Sequence, residues 1–182
     1  MRVIAGLYKG RTISTVKDLS VRPALDRVRQ TIFDMLSNRI ELEGATVLDL
    51  FAGSGSLGIE ALSRGASNVT FVEIGDEAAE YIEKNVTTLG CLQATEIVQM
   101  DAMGFLRGNR HAYNLVFADP PYRFERTEEI PGIIFGQKMV KPGGYLLIEH
   151  TTDLRFESTP HYFAGPEKRF GRTVVTFFKE KL

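Results

Sequence analysis

The sequence holds one cysteine, Cys91, in 182 residues. A single thiol closes no internal disulfide, and no cysteine–histidine cluster has zinc-site spacing, so a reducing compartment suits the chain. Cys91 reads as a small packing residue. Histidine is nearly as scarce: His111, His150 and His161 form neither an H-E-x-x-H motif nor a Ser/His/Asp arrangement, and each reads as a surface or internally satisfied residue. Long apolar runs are missing too. Charge or glycine breaks every hydrophobic stretch short of the roughly 18 residues a membrane span needs. The apolar stretch after Arg2 ends at Lys9, too short for a secretory signal, and a cytoplasmic setting is the expectation. Repeats and low-complexity tracts are also absent. With 43% hydrophobic and 25% charged residues the composition is that of a globular protein, and the length fits one domain over 1–182.

Net charge is small, at −1, but the charges are unevenly placed. Residues 1–39 carry eight Lys or Arg against three Asp, a net +5 that leaves −6 for residues 40–182. A basic end on an otherwise acidic chain points to a polyanionic partner, with a solvated basic face as the plainer alternative.

Two short runs, 2–5 and 11–15, flank a Gly6–Gly10 segment and predict a small β-hairpin arm within residues 1–23, outside the main sheet. From residue 24 onward, β-branched or apolar runs alternate with helical patterns, which predicts βαβ units and a mostly parallel, doubly wound sheet. Leu25, Val28, Ile32, Met35 and Leu36 recur at helical spacing over 24–38. Strands are expected at 46–50, 68–73, 95–100, 113–118 and 145–149. Helices are expected at 56–64, stopped by Gly65, at 76–89, with Asp76 as N-cap and Gly90 at its end, and between 126 and 138 with Pro131 in an early turn. The segment 168–172 reads as a turn before a strand at 173–179 that has no helical crossover before it. That predicts an antiparallel hairpin at the sheet edge.

The strand ends carry the chemistry. Asp49, Glu73, Asp101 and Asp119 each fall at or just after the end of a predicted strand, and a doubly wound sheet collects them at its carboxyl edge, where such folds bind ligands. One such acid would ordinarily cap a helix; four in succession suit a ligand with hydroxyls and a positive charge. A divalent cation is the competing reading, but nothing in the spacing fixes an octahedral set of oxygens. Between the first two acids, Phe51-Ala52-Gly53-Ser54-Gly55-Ser56-Leu57-Gly58 contains G-x-G-x-x-G, so a dinucleotide-binding oxidoreductase has to be weighed. Asp49 just before the loop works against a pyrophosphate, and no catalytic His/Lys/Tyr arrangement accompanies it. A sulfonium cofactor such as S-adenosylmethionine fits the same loop better.

Asp119-Pro120-Pro121-Tyr122 follows an apolar strand. Two consecutive prolines fix φ twice and remove two donors, which makes a stiff turn. Asp119 and the Pro120 carbonyl offer acceptors to an exocyclic amino group, and Tyr122 offers an aromatic face for a base.

The glycine loop, Glu73, Asp101 and D-P-P-Y in this order resemble a class I, S-adenosylmethionine-dependent amino-methyltransferase. Arg2–Gly6, Lys9-Gly10-Arg11, Val21-Arg22-Pro23, Asp26–Arg29, the run 48–66 with E-A-L-S-R-G-A, and Gly171 with its strand resemble the bacterial enzymes that methylate guanine N2 in 16S ribosomal RNA. Ala24 stands where that family often has threonine. The resemblance implies a seven-stranded sheet with an antiparallel last strand, and Asp49, Phe51, Gly53, Gly55, Glu73 and Asp101 around S-adenosylmethionine. It also implies Asp119, Pro120, Pro121 and Tyr122 at the target base, and a monomer acting on 16S ribosomal RNA in the small subunit or its assembly intermediate. Arg2, Lys9, Arg11 and Arg22 are the residues expected to hold that RNA. Methylation of another RNA, of DNA adenine or of a protein amide, and a noncatalytic RNA-binding module, are the alternatives.

Overall fold

The computed structural model describes residues 1–15 and 22–181, with side chains in the first helix from Asp26 onward. Seven strands form one sheet in the order β3-β2-β1-β4-β5-β7-β6. These are β1 (Thr46–Leu50), β2 (Asn68–Glu73), β3 (Thr95–Gln99), β4 (Tyr113–Ala118), β5 (Val140–Thr151), β6 (Tyr162–Phe170) and β7 (Thr173–Glu180). The first five are parallel, and β7 runs antiparallel to both β5 and β6. Five helices cover the faces: α1 (Arg22–Ser37), α2 (Ser56–Ser63), α3 (Asp76–Leu89), α4 (Ala102–Gly108) and α5 (Ile130–Gly136).

Alternation along the strands divides the core. Val47, Val69, Phe71, Leu115, Phe117 and Phe177 pack with Ile32, Phe33 and Leu36 of α1, Ile59 of α2 and Ile82 and Val86 of α3. Their neighbours Leu48, Leu50, Val72, Val116, Ile148 and Phe178 face Met103 and Leu106 of α4 and Ile134 of α5. Period-2 side chains buried on both faces are what a sheet sandwiched between helices requires. Cys91 is buried in the first of these layers, as expected of a packing residue.

The amino-terminal residues do form a hairpin, with one antiparallel bridge, Arg2 to Thr12, and backbone bonds from Val3 N to Arg11 O and from Gly10 N to Val3 O. It is docked rather than free. Val3 and Ile13 are buried in the α1–α3 layer. The fully buried Glu60 carboxylate accepts the N–H groups of Ile4 (2.8 Å) and Ala5 (3.0 Å), while Ser63 O accepts from Leu7 N at 2.7 Å. Gly6 has φ +81° and approaches so closely that a Cβ there would lie 1.7 Å from Ser63 O, so only glycine fits. The run E-A-L-S-R-G-A is therefore the socket of this hairpin.

Four boundaries depart from expectation. Gly75, not Asp76, is the N-cap of α3; Asp76 is its first residue and its carboxylate accepts from Gln99 Nε2. Strand β3 stops at Gln99, and Met100 lies outside it. Strand β5 begins at Val140, ahead of the expected start at 145: residues 141–144 form a register shift within it, between the pairs Tyr113–Val140 and Leu115–Tyr145. The turn between β6 and β7 is only Gly171–Arg172.

Candidate active site

The glycine loop leaves β1 through three residues of positive φ, Phe51 (57°), Gly53 (55°) and Gly55 (81°). For Phe51 this is a costly backbone, held because Ala52 N bonds Val72 O (3.0 Å) and Gly55 N bonds Ala52 O (2.8 Å). Glu73 then fixes the loop from the next strand: Oε2 accepts the Gly53 N–H at 2.7 Å, and Oε1 accepts the Gly75 N–H at 2.9 Å.

A cavity of about 540 Å³ opens above these strand ends, lined by Phe51, Gly53, Glu73, Asp101, Asp119, Pro120, Pro121 and Tyr122 among others. Eight of the ten residues expected at the catalytic and cofactor positions thus share one cleft. Asp49 and Gly55 do not line it. Asp49 is buried beneath the loop with Oδ2 accepting the Gly58 N–H at 2.9 Å, and Gly55 is the N-cap of α2, where a Cβ would press on Phe71 and Ile82. Both support the loop from behind the cleft wall. Asp101 lines the cleft and also caps α4, accepting the Gly104 N–H at 2.8 Å.

Six further wall residues escaped the sequence reading, the buried Val72 of β2 among them. Ile74 and Met100 are 65% and 47% exposed, an apolar pair flanking Glu73 and Asp101. Phe124 meets Phe51 edge-on at 4.9 Å, Ala102 opens α4, and Glu149 sits beside Asp119. The signals were present: Ile74 follows a strand-end acid, and Glu149 is itself an acid late in a strand.

Charge in this cleft is one-sided. No Lys, Arg or His lines it among the described residues, whereas four carboxylates do. Burial pushes Glu149 up to about 8, helped by the charge of Asp119, and burial pushes Asp119 up to about 6 although the residue meets solvent at the cleft mouth. Asp49 is pushed up to about 8 by burial, against the opposing Gly58 hydrogen bond, with Asp119 and Glu73 adding repulsion. Such a cleft repels phosphates. It suits a ligand with a positive charge, hydroxyl groups that share the oxygens of Glu73, and a flat ring to lie between Ile74 and Met100.

Of the residues expected to hold nucleic acid, Arg2, Lys9 and Arg11 are exposed on the hairpin, with Arg11 Nη2 donating to Thr88 O at 2.9 Å. Helices α2 and α3 start at the cleft, and the hairpin tip is held by Ser63 and Thr88 at their far ends. These cations therefore sit at the amino edge of the sheet, away from the cleft. Arg22 opens α1, and its side chain lies outside the described residues. Arg29 is buried and pairs with Asp26 at 3.1 Å.

The Conserved hypothetical protein 95 family matches residues 1–179. The chain belongs to that family. It is 40% identical over 182 residues to the ribosomal RNA small subunit methyltransferase D of Escherichia coli (strain K12), covering 100% of this chain and 90% of that protein. The Haemophilus influenzae protein of the same name is 36% identical over 174 residues, covering 94% of this chain and 89% of its own. Among solved structures, yhhF from Escherichia coli superposes with a TM-score of 0.86 at 30% identity, covering 100% of this chain and 98% of that one. SMU.776, solved with SAH, has a TM-score of 0.70 at 15% identity over 94% of this chain and 52% of its own, and shows the shared fold.

The buried carboxyls predict a pH dependence of stability. A carboxyl raised to about 8 in the fold from an unfolded value near 4 costs nothing below pH 4, and its cost grows as pH rises to about 8. The urea midpoint is expected to fall between pH 5 and 8, and Asp49→Asn, which keeps an acceptor for Gly58, should flatten that fall by on the order of 1 kcal/mol or more. Parallel curves for the two proteins would remove Asp49 as a cause.

Proposed function

We propose that this protein transfers a methyl group from S-adenosylmethionine to the exocyclic 2-amino group of a guanine in 16S ribosomal RNA. The observation that carries the reading is the cleft that joins Glu73, Asp101 and the Ile74–Met100 pair to the D-P-P-Y turn, with no cation in its wall among the described residues. The ribosomal RNA methyltransferases to which the chain is similar over their length support the substrate class.

The residues fit the cofactor. Glu73 would hold the ribose hydroxyls, Asp101 would lie at the adenine amino group, and Ile74 and Met100 would enclose the adenine ring. Bound there, S-adenosylmethionine supplies a methyl group made electrophilic by the sulfonium. The guanine 2-amino nitrogen is a poor nucleophile because its lone pair is delocalised into the ring. Asp119 and the Pro120 carbonyl accept its two N–H bonds, which favours a pyramidal nitrogen with its lone pair aimed at the methyl. As the N–C bond forms and the methyl–sulfur bond breaks, its electron pair going to sulfur, positive charge grows on nitrogen beside the Asp119 carboxylate, and stabilisation of this kind contributes a few kcal/mol. With its carboxyl raised to about 6, Asp119 is suited to receive the proton the nitrogen then loses. Tyr122, 74% exposed with its hydroxyl 3.4 Å from Thr173 Oγ1, presents its ring to the base.

Phosphate affinity has to come from outside the acidic cleft. Lys168, Arg169 and Arg172 are exposed around the β6–β7 turn, next to Thr173 and hence to Tyr122, and would take phosphates flanking the target. Arg2, Lys9 and Arg11 would take phosphates farther along the RNA. On this account a Lys168→Ala/Arg172→Ala protein binds small subunits more weakly, with the slope of log affinity against log salt reduced by about one unit for each phosphate no longer neutralised. An unchanged slope would move docking elsewhere. The function itself is tested by incubating the protein with labelled S-adenosylmethionine and unmodified small subunits, then digesting the RNA. The expected product is N2-methylguanosine at one position; label in another nucleoside or in protein would contradict the assignment.

A further inference from the structure

Two cavities meet at the D-P-P-Y turn. Beside the cleft lies a smaller one, of about 260 Å³, and Pro120, Pro121, Tyr122, Phe124 and Glu149 belong to the walls of both. Two bodies, one in each cavity, would touch at this partition. Its geometry comes from the sheet: Ala118 pairs with Ile148 across β4 and β5, so the next residues along each strand, Asp119 and Glu149, stand side by side.

These two carboxylates differ from the other acids of the site. Asp49, Glu73 and Asp101 each accept at least one backbone N–H. Neither Asp119 nor Glu149 has a side-chain hydrogen-bond partner among the described residues. A half-buried carboxylate without donors is costly, and the unfavourable environment already seen in their raised titration is relieved by N–H donors brought in by a ligand.

The smaller cavity restricts what that ligand can be. Among the described residues its walls contain no Lys or Arg, while Glu125, Glu128 and Asp153 add further carboxylates, so the cavity disfavours an anion. Its one histidine is committed: His150 Nδ1 lies 2.8 Å from Thr151 O, and Nε2 lies 2.7 Å from Thr176 Oγ1. Phe124, Leu154 and the two prolines supply flat or apolar wall. The occupant that fits is uncharged, planar and carries adjacent N–H donors. Among the nucleobases, guanine has a ring N–H directly beside its amino group, whereas adenine and cytosine have a ring nitrogen lone pair there.

We propose that the smaller cavity receives the target guanine and that Glu149 accepts its N1–H while Asp119 accepts from N2, so that Glu149 selects guanine over other amino-bearing bases. This rests on the methyltransferase reading above and adds the residue that reads the base. Turning adenine into the same position would set its N1 lone pair against an oxygen of the ionised Glu149 carboxylate, so the discrimination is strongest once Glu149 has lost its proton, toward pH 8. A site built around a donor discriminates strongly against a base that lacks it.

The test uses small subunits reconstituted with 16S RNA that carries either guanine or 2,6-diaminopurine at the position mapped for the wild-type protein. Diaminopurine keeps the 2-amino group but has an acceptor at N1. In single-turnover transfer the wild-type protein should prefer guanine by about 10- to 100-fold. Glu149→Ala should lose that preference and transfer to guanine about 10- to 100-fold more slowly, with S-adenosylmethionine affinity by calorimetry unchanged. Glu149→Gln, whose amide offers both an acceptor and a donor, should retain transfer to guanine at a reduced rate and narrow the preference from the diaminopurine side. If both variants bind cofactor and keep the wild-type preference, Glu149 does not read the base, and the inference fails while the function stands. If the wild-type protein transfers no methyl to guanine at all, the functional reading fails first.

Discussion

Glu73 holds the cleft together. Its two carboxylate oxygens take the N–H groups of Gly53 and Gly75, so one side chain at the end of β2 sets both the loop that leaves β1 and the entry to α3. Backbone donors at such a bend have few other partners, because Phe51, Gly53 and Gly55 already use positive φ to turn the chain sharply. Each bonded oxygen keeps a second lone pair for a ligand hydroxyl. The same carboxylate that shapes the loop is thus presented to a ligand in the cleft.

The remaining acids trade stability for readiness. Asp49 supports the loop from below through Gly58, and Asp119 and Glu149 stand unbonded at the mouth, all three pushed toward their protonated forms. Grouping carboxylates where their charges repel makes no sense for a resting fold. It is sensible for a cleft that receives a cationic cofactor from one side and an N–H-rich base from the other. The opposite sign is kept apart, in the Lys168–Arg172 turn beside Tyr122 and on the hairpin at the far edge, so phosphates are attracted around the cleft and not into it.

Much of this was readable in the residues. The parallel strands announced themselves as β-branched and apolar runs, and helices α1 and α3 by their periodic apolar stripes, because those elements bury a regular face. Helix α4 was invisible: Ala-Met-Gly-Phe-Leu-Arg-Gly has two glycines in seven residues, and its start depends on Asp101 capping Gly104. Strand β6 contains Gly165-Pro166 and is largely exposed, so it has no alternation to detect, and only its pairing with β7 makes it a strand. The hairpin was legible, but not its docking, since Glu60 gave no sign that its carboxylate would be spent on Ile4 and Ala5. In the site, acids just after strands were found by rule. Glu149, the last residue of the expected strand 145–149, meets the same rule and was passed over; in the structure β5 runs on past it to Thr151. The basic residues could be counted, but charge tallies along a chain do not say which edge of a sheet each cation reaches.

The account depends most directly on Asp119 acting in the chemical step and not in cofactor retention. Single-turnover transfer of labelled methyl from saturating S-adenosylmethionine to small subunits, measured with Asp119→Ala beside calorimetric cofactor affinity, separates the two. The account predicts a rate lowered by roughly 10²-fold or more with affinity preserved. Full transfer by Asp119→Ala would contradict it.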